Sequence, residues 1–190
     1  RPQLEVLATA GATTSLDHGQ RRASLWSAGA IAHQSPDQLP GLIFGDSAPP
    51  LPGMSTEDIL VADLETTGIS VDSSPMKLLR ERLRGYPVVP AAELIHRPHG
   101  SRVTVAGVVT HRQRPETAAG ITFISLEDES GLMNIVCHQA LWKRNQKVAR
   151  SATALLIRGF VESADGAINV VAREMEELSI KVAPASRNFR

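Results

Sequence analysis

The 190-residue sequence predicts a mainly β fold: a five-stranded barrel with a helix between strands three and four, preceded by a Pro/Gly-rich linker and a short helical arm. Three observations carry that expectation. Residues 101–178 alternate apolar and polar side chains in runs of strand length, separated by glycine-bearing turns. One stretch of helical composition, HQALWKRNQKVARS, falls between the third and fourth runs. Upstream, SPDQLPGLIFGDSAPPLPGM is too dense in Pro and Gly to sustain either regular element.

Taken in chain order, residues 1–54 lack strong periodicity; RRASLWSAGA reads as one helix ending near Gly29, with the extended linker after it. Residues 55–100 read as a two-helix arm and connector. Ser55 N-caps the first helix with Asp58 three residues on, Ile59, Leu60 and Leu64 supply its apolar stripe, and Gly68 stops it. Ser74 caps the second, Pro75 takes its first position, and Gly85 lies just past its end. RVTVAGVVTHRQR is a long strand with a bend or bulge at Gly107. ITFISLE and GLMNIVC are two alternating strands joined by a tight polar turn, and TALLIRGFVES and AINVVARE form a hairpin about ADG. Strand, strand, strand, helix, strand, strand over about 75 residues is the order of the oligonucleotide/oligosaccharide-binding (OB-fold) barrel. Residues 101–178 are thus the barrel and 179–190 a C-terminal tail.

Alternation also assigns faces. Thr122, Ile124 and Leu126, with Met133, Ile135 and Cys137, make the core set. That leaves Phe123, Ser125 and Asn134 on the outer face of strands two and three, where such barrels bind single strands. A face-exposed Phe offers a stacking platform for a base. Arg112 and Arg114 fall where strand one enters the first loop, positioned to neutralise phosphates. Lys143, Arg144, Lys147 and Arg150 line the helix; Lys143 and Lys147 join the candidate nucleic-acid contacts, although a solvated face is the plainer reading.

The totals set bounds. Lys and Arg balance Asp and Glu at 20 each, but residues 1–100 carry net −3 and residues 101–173 net +3. A modestly basic second half is compatible with a polyanionic partner. The lone Cys137 rules out an internal disulfide or thiolate zinc cluster and reads as a small buried apolar residue in a cytoplasmic protein. No apolar run is long enough to span a bilayer as a helix.

Four motifs invite chemistry. Glu127, Asp128 and Glu129 sit in one turn closed by Gly131, with no partner ligands; Asp128 is expected to bond local amides and shape the reversal. In VADLETTG, Asp63 and Glu65 match the first metal-binding motif of proofreading exonucleases, yet they fall at the end of a capped helix and the downstream motifs are missing. QLPGLIF faintly resembles a clamp-binding peptide, and His96 and His99 have ligand-like spacing without further ligands.

The segment VTVAGVVTHRQRPETAAGITFISLEDESGLMNIV closely resembles the domain near the C-terminus of bacterial C-family DNA polymerases, the polymerase III alpha subunits. RRASLWSAG, LPGM, TGISVDSSPMKLLR and SRNFR bring the resemblance nearer to the error-prone, lesion-bypass paralogue, over nearly the whole chain. One departure is Ser74, where the family pattern leads one to expect histidine before Pro75. The resemblance implies a segment of a longer polymerase, consistent with a chain that opens on Arg1. The palm with its catalytic aspartates would lie upstream, so no catalytic residue and no cofactor is expected here, although the parent polymerase would need magnesium. Expected partners are single-stranded DNA, accessory lesion-bypass proteins and the sliding clamp, with no membrane. The alternatives are a module that docks the polymerase to accessory proteins, or a tRNA-binding barrel of a synthetase; the arm and tail lack any synthetase signature.

Overall fold

A computed structural model describes residues 2–15, 20–32, 48–80, 83–164, 166–179 and, for the backbone alone, 187–189. The clamp-like QLPGLIF and most of the proline-rich linker lie outside the described residues. The chain divides into two compact units, Arg1–Ser73 and Ser74–Arg190. The division falls between the two helices that the sequence reading groups into one arm.

The first unit is helical: α1 (Pro2–Thr9), α2 (Arg21–Ala32) and α3 (Thr56–Thr66). The sequence reading has no counterpart for α1, and α2 runs three residues past Gly29. Both lack a sharp apolar stripe, the signal a periodicity reading needs. In α3 the expected capping box is present. The Ser55 hydroxyl accepts from Asp58 N at 3.1 Å, and the Asp58 carboxylate accepts from Ser55 N at 3.1 Å. Gly68, at φ +77°, ends the helix in the left-handed conformation and donates to the Asp63 carbonyl.

The second unit opens with α4 (Pro75–Arg80), which Ser74 caps through Lys77 N, and a 3-10 turn at Ala91–His96. The barrel follows: β1 (Arg102–Gln113), β2 (Thr122–Asp128), β3 (Gly131–Cys137), α5 (Gln139–Arg144), α6 (Gln146–Ser151), β4 (Ala154–Ala164) and β5 (Ala167–Glu177). The single helix expected between β3 and β4 is broken at Asn145, whose φ −114°, ψ 31° leaves the helical region. Strand order β2-β3-β5-β4-β1 closes through β1–β2, with β3 and β5 parallel and the other pairs antiparallel. A short β6 (Arg187–Phe189) from the tail pairs in parallel with His111–Gln113.

The core is the expected alternating set. Val105, Val109, Ile124, Leu126, Ile135, Cys137, Leu155, Ile157 and Val170 are fully buried. Leu141 and Ala149 of α5 and α6 enter the same cluster, so this helical pair plugs one end of the barrel. β1 is buried on both sides from Val105 to Val109. Met76 and Leu79 of α4, with Leu83, cover its outer residues Ala106 and Val108 and the neighbouring Leu156 of β4. That explains a continuous apolar run where a half-solvated strand would alternate. Beyond β1 and β4, α4 reaches β2 only at its end, through Arg80 and Asp128.

β1 hands its pairing from β4 to β2 at Val108, beside Gly107. A Cβ on Gly107 would lie 2.8 Å from that of Leu126, so the two strands need the glycine to approach. The bulge lies elsewhere, between Val109 and His111, where Thr110 is the extra residue.

Candidate nucleic-acid interface

Two rows of side chains run across the outer face, set by strand register. One passes through Gln113, Phe123, Val136, Val171 and Phe160, from β1 over β2, β3 and β5 to β4. Beside it runs a polar row, His111, Ser125, Asn134 and Asn169. Phe123 is half-buried and lies outside the core cluster, as alternation requires. Ser125 and Asn134 are half-buried neighbours. The Asn134 amide donates to Asn169 Oδ1 at 2.6 Å, tying β3 to β5 through side chains. His111 Nδ1 lies 3.1 Å from Thr110 Oγ1, which donates to the Ser125 carbonyl at 3.3 Å. An apolar row thus lies beside a row of hydrogen-bonding groups.

Arg112 is not where the sequence reading puts it. The Thr110 bulge reverses the parity of β1, turning His111 outward and Arg112 inward. Arg112 is 5% exposed, and its Nε donates to the Ala149 carbonyl at 2.8 Å while a terminal nitrogen donates to that of Ala152. It therefore caps the carbonyl end of α6. Burial pulls its pKa below the ordinary arginine value.

Arg114 does sit on the rim. With Gln113, Pro115, Glu116 and Gly120 it borders a hollow of about 710 Å³ beside Trp142, Gln146 and Arg150. Lys143 and Lys147 are exposed on α5 and α6, but neither lines this hollow. The helical cation that does is Arg150. His111 and Asn169 in the polar row, with Trp142 and Arg150 at the hollow, are side chains that sequence reasoning leaves out of its candidates. A pairing prediction for β3 with β5 would have found Asn169; no local pattern marks the Thr110 bulge.

The acidic turn is structural. Asp128 is fully buried at its side chain. Its Oδ1 accepts from Ser130 N and Oγ at 2.7 Å and from Gly131 N at 3.1 Å; its Oδ2 accepts from Ala91 N and Arg80 at 3.0 Å. Arg80 also bonds Glu129. Asp128 therefore shapes the reversal, as expected, and in addition fastens α4 and the connector to the barrel. Asp63 is likewise occupied, pairing with Arg21 at 2.5 Å and accepting from Ser70 Oγ at 2.6 Å. Among the described residues no three His, Cys, Asp or Glu are grouped to hold a metal ion. Burial pushes the Cys137 thiol up to about 11, in keeping with an unreactive core residue. No described helix is long and apolar enough to cross a membrane.

Residues 103–178 match the family described as OB-fold nucleic acid binding domain, in agreement with the barrel seen here, which is an OB-fold. The whole chain resolves further. It is 50% identical over 188 residues to the error-prone DNA polymerase of Mycolicibacterium paratuberculosis, covering 99% of this chain and 17% of that protein. It is 46% identical to the error-prone DNA polymerase of Corynebacterium glutamicum over 99% of this chain and 18% of that protein. Over its whole length the chain is a homologue of the C-terminal part of error-prone DNA polymerases. It spans about a sixth of the length of the curated relatives it matches. Among solved structures, asparaginyl-tRNA synthetase from Pyrococcus horikoshii overlaps 50% of this chain and 24% of that one, at 19% identity and TM-score 0.42. Nothing about ligand follows from a likeness that small.

Proposed function

We propose that the barrel binds single-stranded DNA across β2, β3 and β5, as the template-handling segment of an error-prone polymerase acting in lesion bypass and DNA repair in the cytoplasm. The observation that carries this reading is the row through Phe123, Val136 and Val171, flanked by the hydrogen-bonding row through Ser125 and Asn134. Arg114 and Arg150 at one end of the rows supply positive charge for phosphates. Nucleotidyl transfer, with its magnesium, belongs in this reading to other parts of the parent polymerase.

Fluorescence anisotropy of labelled oligo(dT) tests it. Binding should weaken steeply with salt. Phe123→Ala should lose about 1–3 kcal/mol, roughly 5- to 150-fold in affinity. No salt-sensitive binding at low ionic strength would sink the reading.

A second reading, a docking module for accessory bypass proteins or the sliding clamp, is favoured by Leu132, 68% exposed on the outer face of β3. Exposed apolar residues of the helical unit, Leu4, Leu7, Trp26 and Ile31, point the same way. A pull-down of the accessory proteins that survives nuclease treatment and fails with Leu132→Asp would support it.

A further inference from the structure

The apolar row does not stop at the β2–β3 face. It continues over Val171 of β5 to Phe160 of β4, three inter-strand spacings from Phe123 or about 14 Å along the sheet. Phe160 is half-buried and stands outside the core cluster. The Arg102 and Arg173 guanidiniums lie 5.8 and 5.6 Å from its ring centroid. Both arginines are exposed, and neither makes an ion pair among the described residues.

The surroundings are a hollow of about 620 Å³. Its wall is the connector, where Val89 N donates to the Thr104 carbonyl at 2.8 Å and Pro87 and Val89 line the space. Its floor holds a β-bulge. Arg158 pairs with Glu174 and Gly159 with Ala172, so Arg173 is the extra residue. Ala172 and Met175 face the core while Arg173 and Glu174 are both exposed between them. The bulge therefore turns Arg173 outward together with Glu174, a re-aiming that bulges commonly perform beside sites. Arg158 is neutralised by Glu174 and Glu176, and Arg97 pairs with Glu93, leaving Arg102 and Arg173 as the cations available to a ligand. Two guanidiniums without ion-pair partners stand over the ring; drawn onto neighbouring phosphates, they free its face for a base.

We propose that the Phe160 hollow is a second single-strand contact, with a base on Phe160 and phosphodiester groups on Arg102 and Arg173. A bound strand then wraps from the β2–β3 face over β5 onto β4. The proposal rests on the single-strand reading above and extends its path beyond strands two and three.

Anisotropy with labelled oligo(dT) of about 2 and about 12 nucleotides, on the full 190-residue chain, tests it; at roughly 3.4 Å or more per nucleotide only the longer strand spans the gap. The longer strand should bind about tenfold more tightly, because it alone reaches both aromatics. In Arg102→Gln/Arg173→Gln that length advantage should vanish. The slope of log affinity against log salt for the longer strand should fall by about 2, with affinity for the shorter strand unchanged. Phe160→Leu should reduce the length advantage without altering the slope. Unfolding midpoints within error of wild type establish that the variants fold. A folded double variant that keeps both length advantage and slope overturns the wrap, and so does an equal loss at both lengths. If neither length binds wild type, the single-strand reading itself fails and this proposal with it.

Discussion

Arg112 owes its place to a single inserted residue. Without Thr110 as a bulge, strict alternation from Val109 would point Arg112 outward, toward the rim where the sequence reading puts it. With the bulge, its guanidinium is sealed against the carbonyls of Ala149 and Ala152. Arg112→Ala leaves those carbonyls buried without donors, and should cost about 2–4 kcal/mol in urea unfolding. Arg114→Ala should cost almost no stability and instead weaken oligonucleotide binding. Asp63 gives a pH test at the same scale. Burial pushes its carboxyl up, yet hydrogen bonds from Ser70 and Arg21 prevail and hold it below the ordinary aspartate value of 3.8. A carboxyl with a lowered folded pKa stabilises fully above its unfolded value and loses that contribution as pH falls through the folded one. The helical unit should therefore lose stability below pH 3.8, and Asp63→Asn should flatten that part of the profile, followed by circular dichroism.

At the scale of elements, what was legible had a local cause. The Ser55–Asp58 capping box, the Ser74-Pro75 start and the Gly68 stop are short-range chemistry, and all three stand in the structure. The barrel strands and their inward set follow from period-two alternation, which survives wherever one side faces solvent. Alternation fails in β1 because α4 buries its outer side too, and the two-sided burial of Val105–Val109 hides the parity that the bulge then reverses. The pairing that completes the polar row, Asn134 with Asn169, joins distant segments and leaves no local trace. Gly159 is the element-scale prediction. A Cβ there would lie 2.2 Å from the Val171 carbonyl oxygen, with backbone on the other side of the contact. Gly159→Ala should force the β4–β5 ladder apart and cost about 1–3 kcal/mol or more, read as a lowered unfolding midpoint, whereas Gly166→Ala, with open space around it, is limited to the strain of its positive φ.

Over the whole molecule, two kinds of surface emerge. In the second unit, α4 and the connector occupy one side of the barrel, held by Arg80, Asp128 and the Met76–Leu79 contacts. On the β2–β3–β5 side Phe123, Ser125, Asn134, Asn169 and Val171 are half-buried, with Val136 buried between them. The first unit is a small helical body with several large apolar residues exposed. A chain balanced in formal charge can bind a polyanion only by concentrating its cations, and Arg114 and Arg150 beside the Phe123 row do so. The most direct test is a ¹⁵N NMR titration of the chain with oligo(dT). The account predicts shift changes centred on His111, Phe123, Ser125, Asn134 and Asn169, diminishing as salt is raised. Changes confined to residues 1–73, or none along β2 and β3 while the oligonucleotide binds, would contradict it.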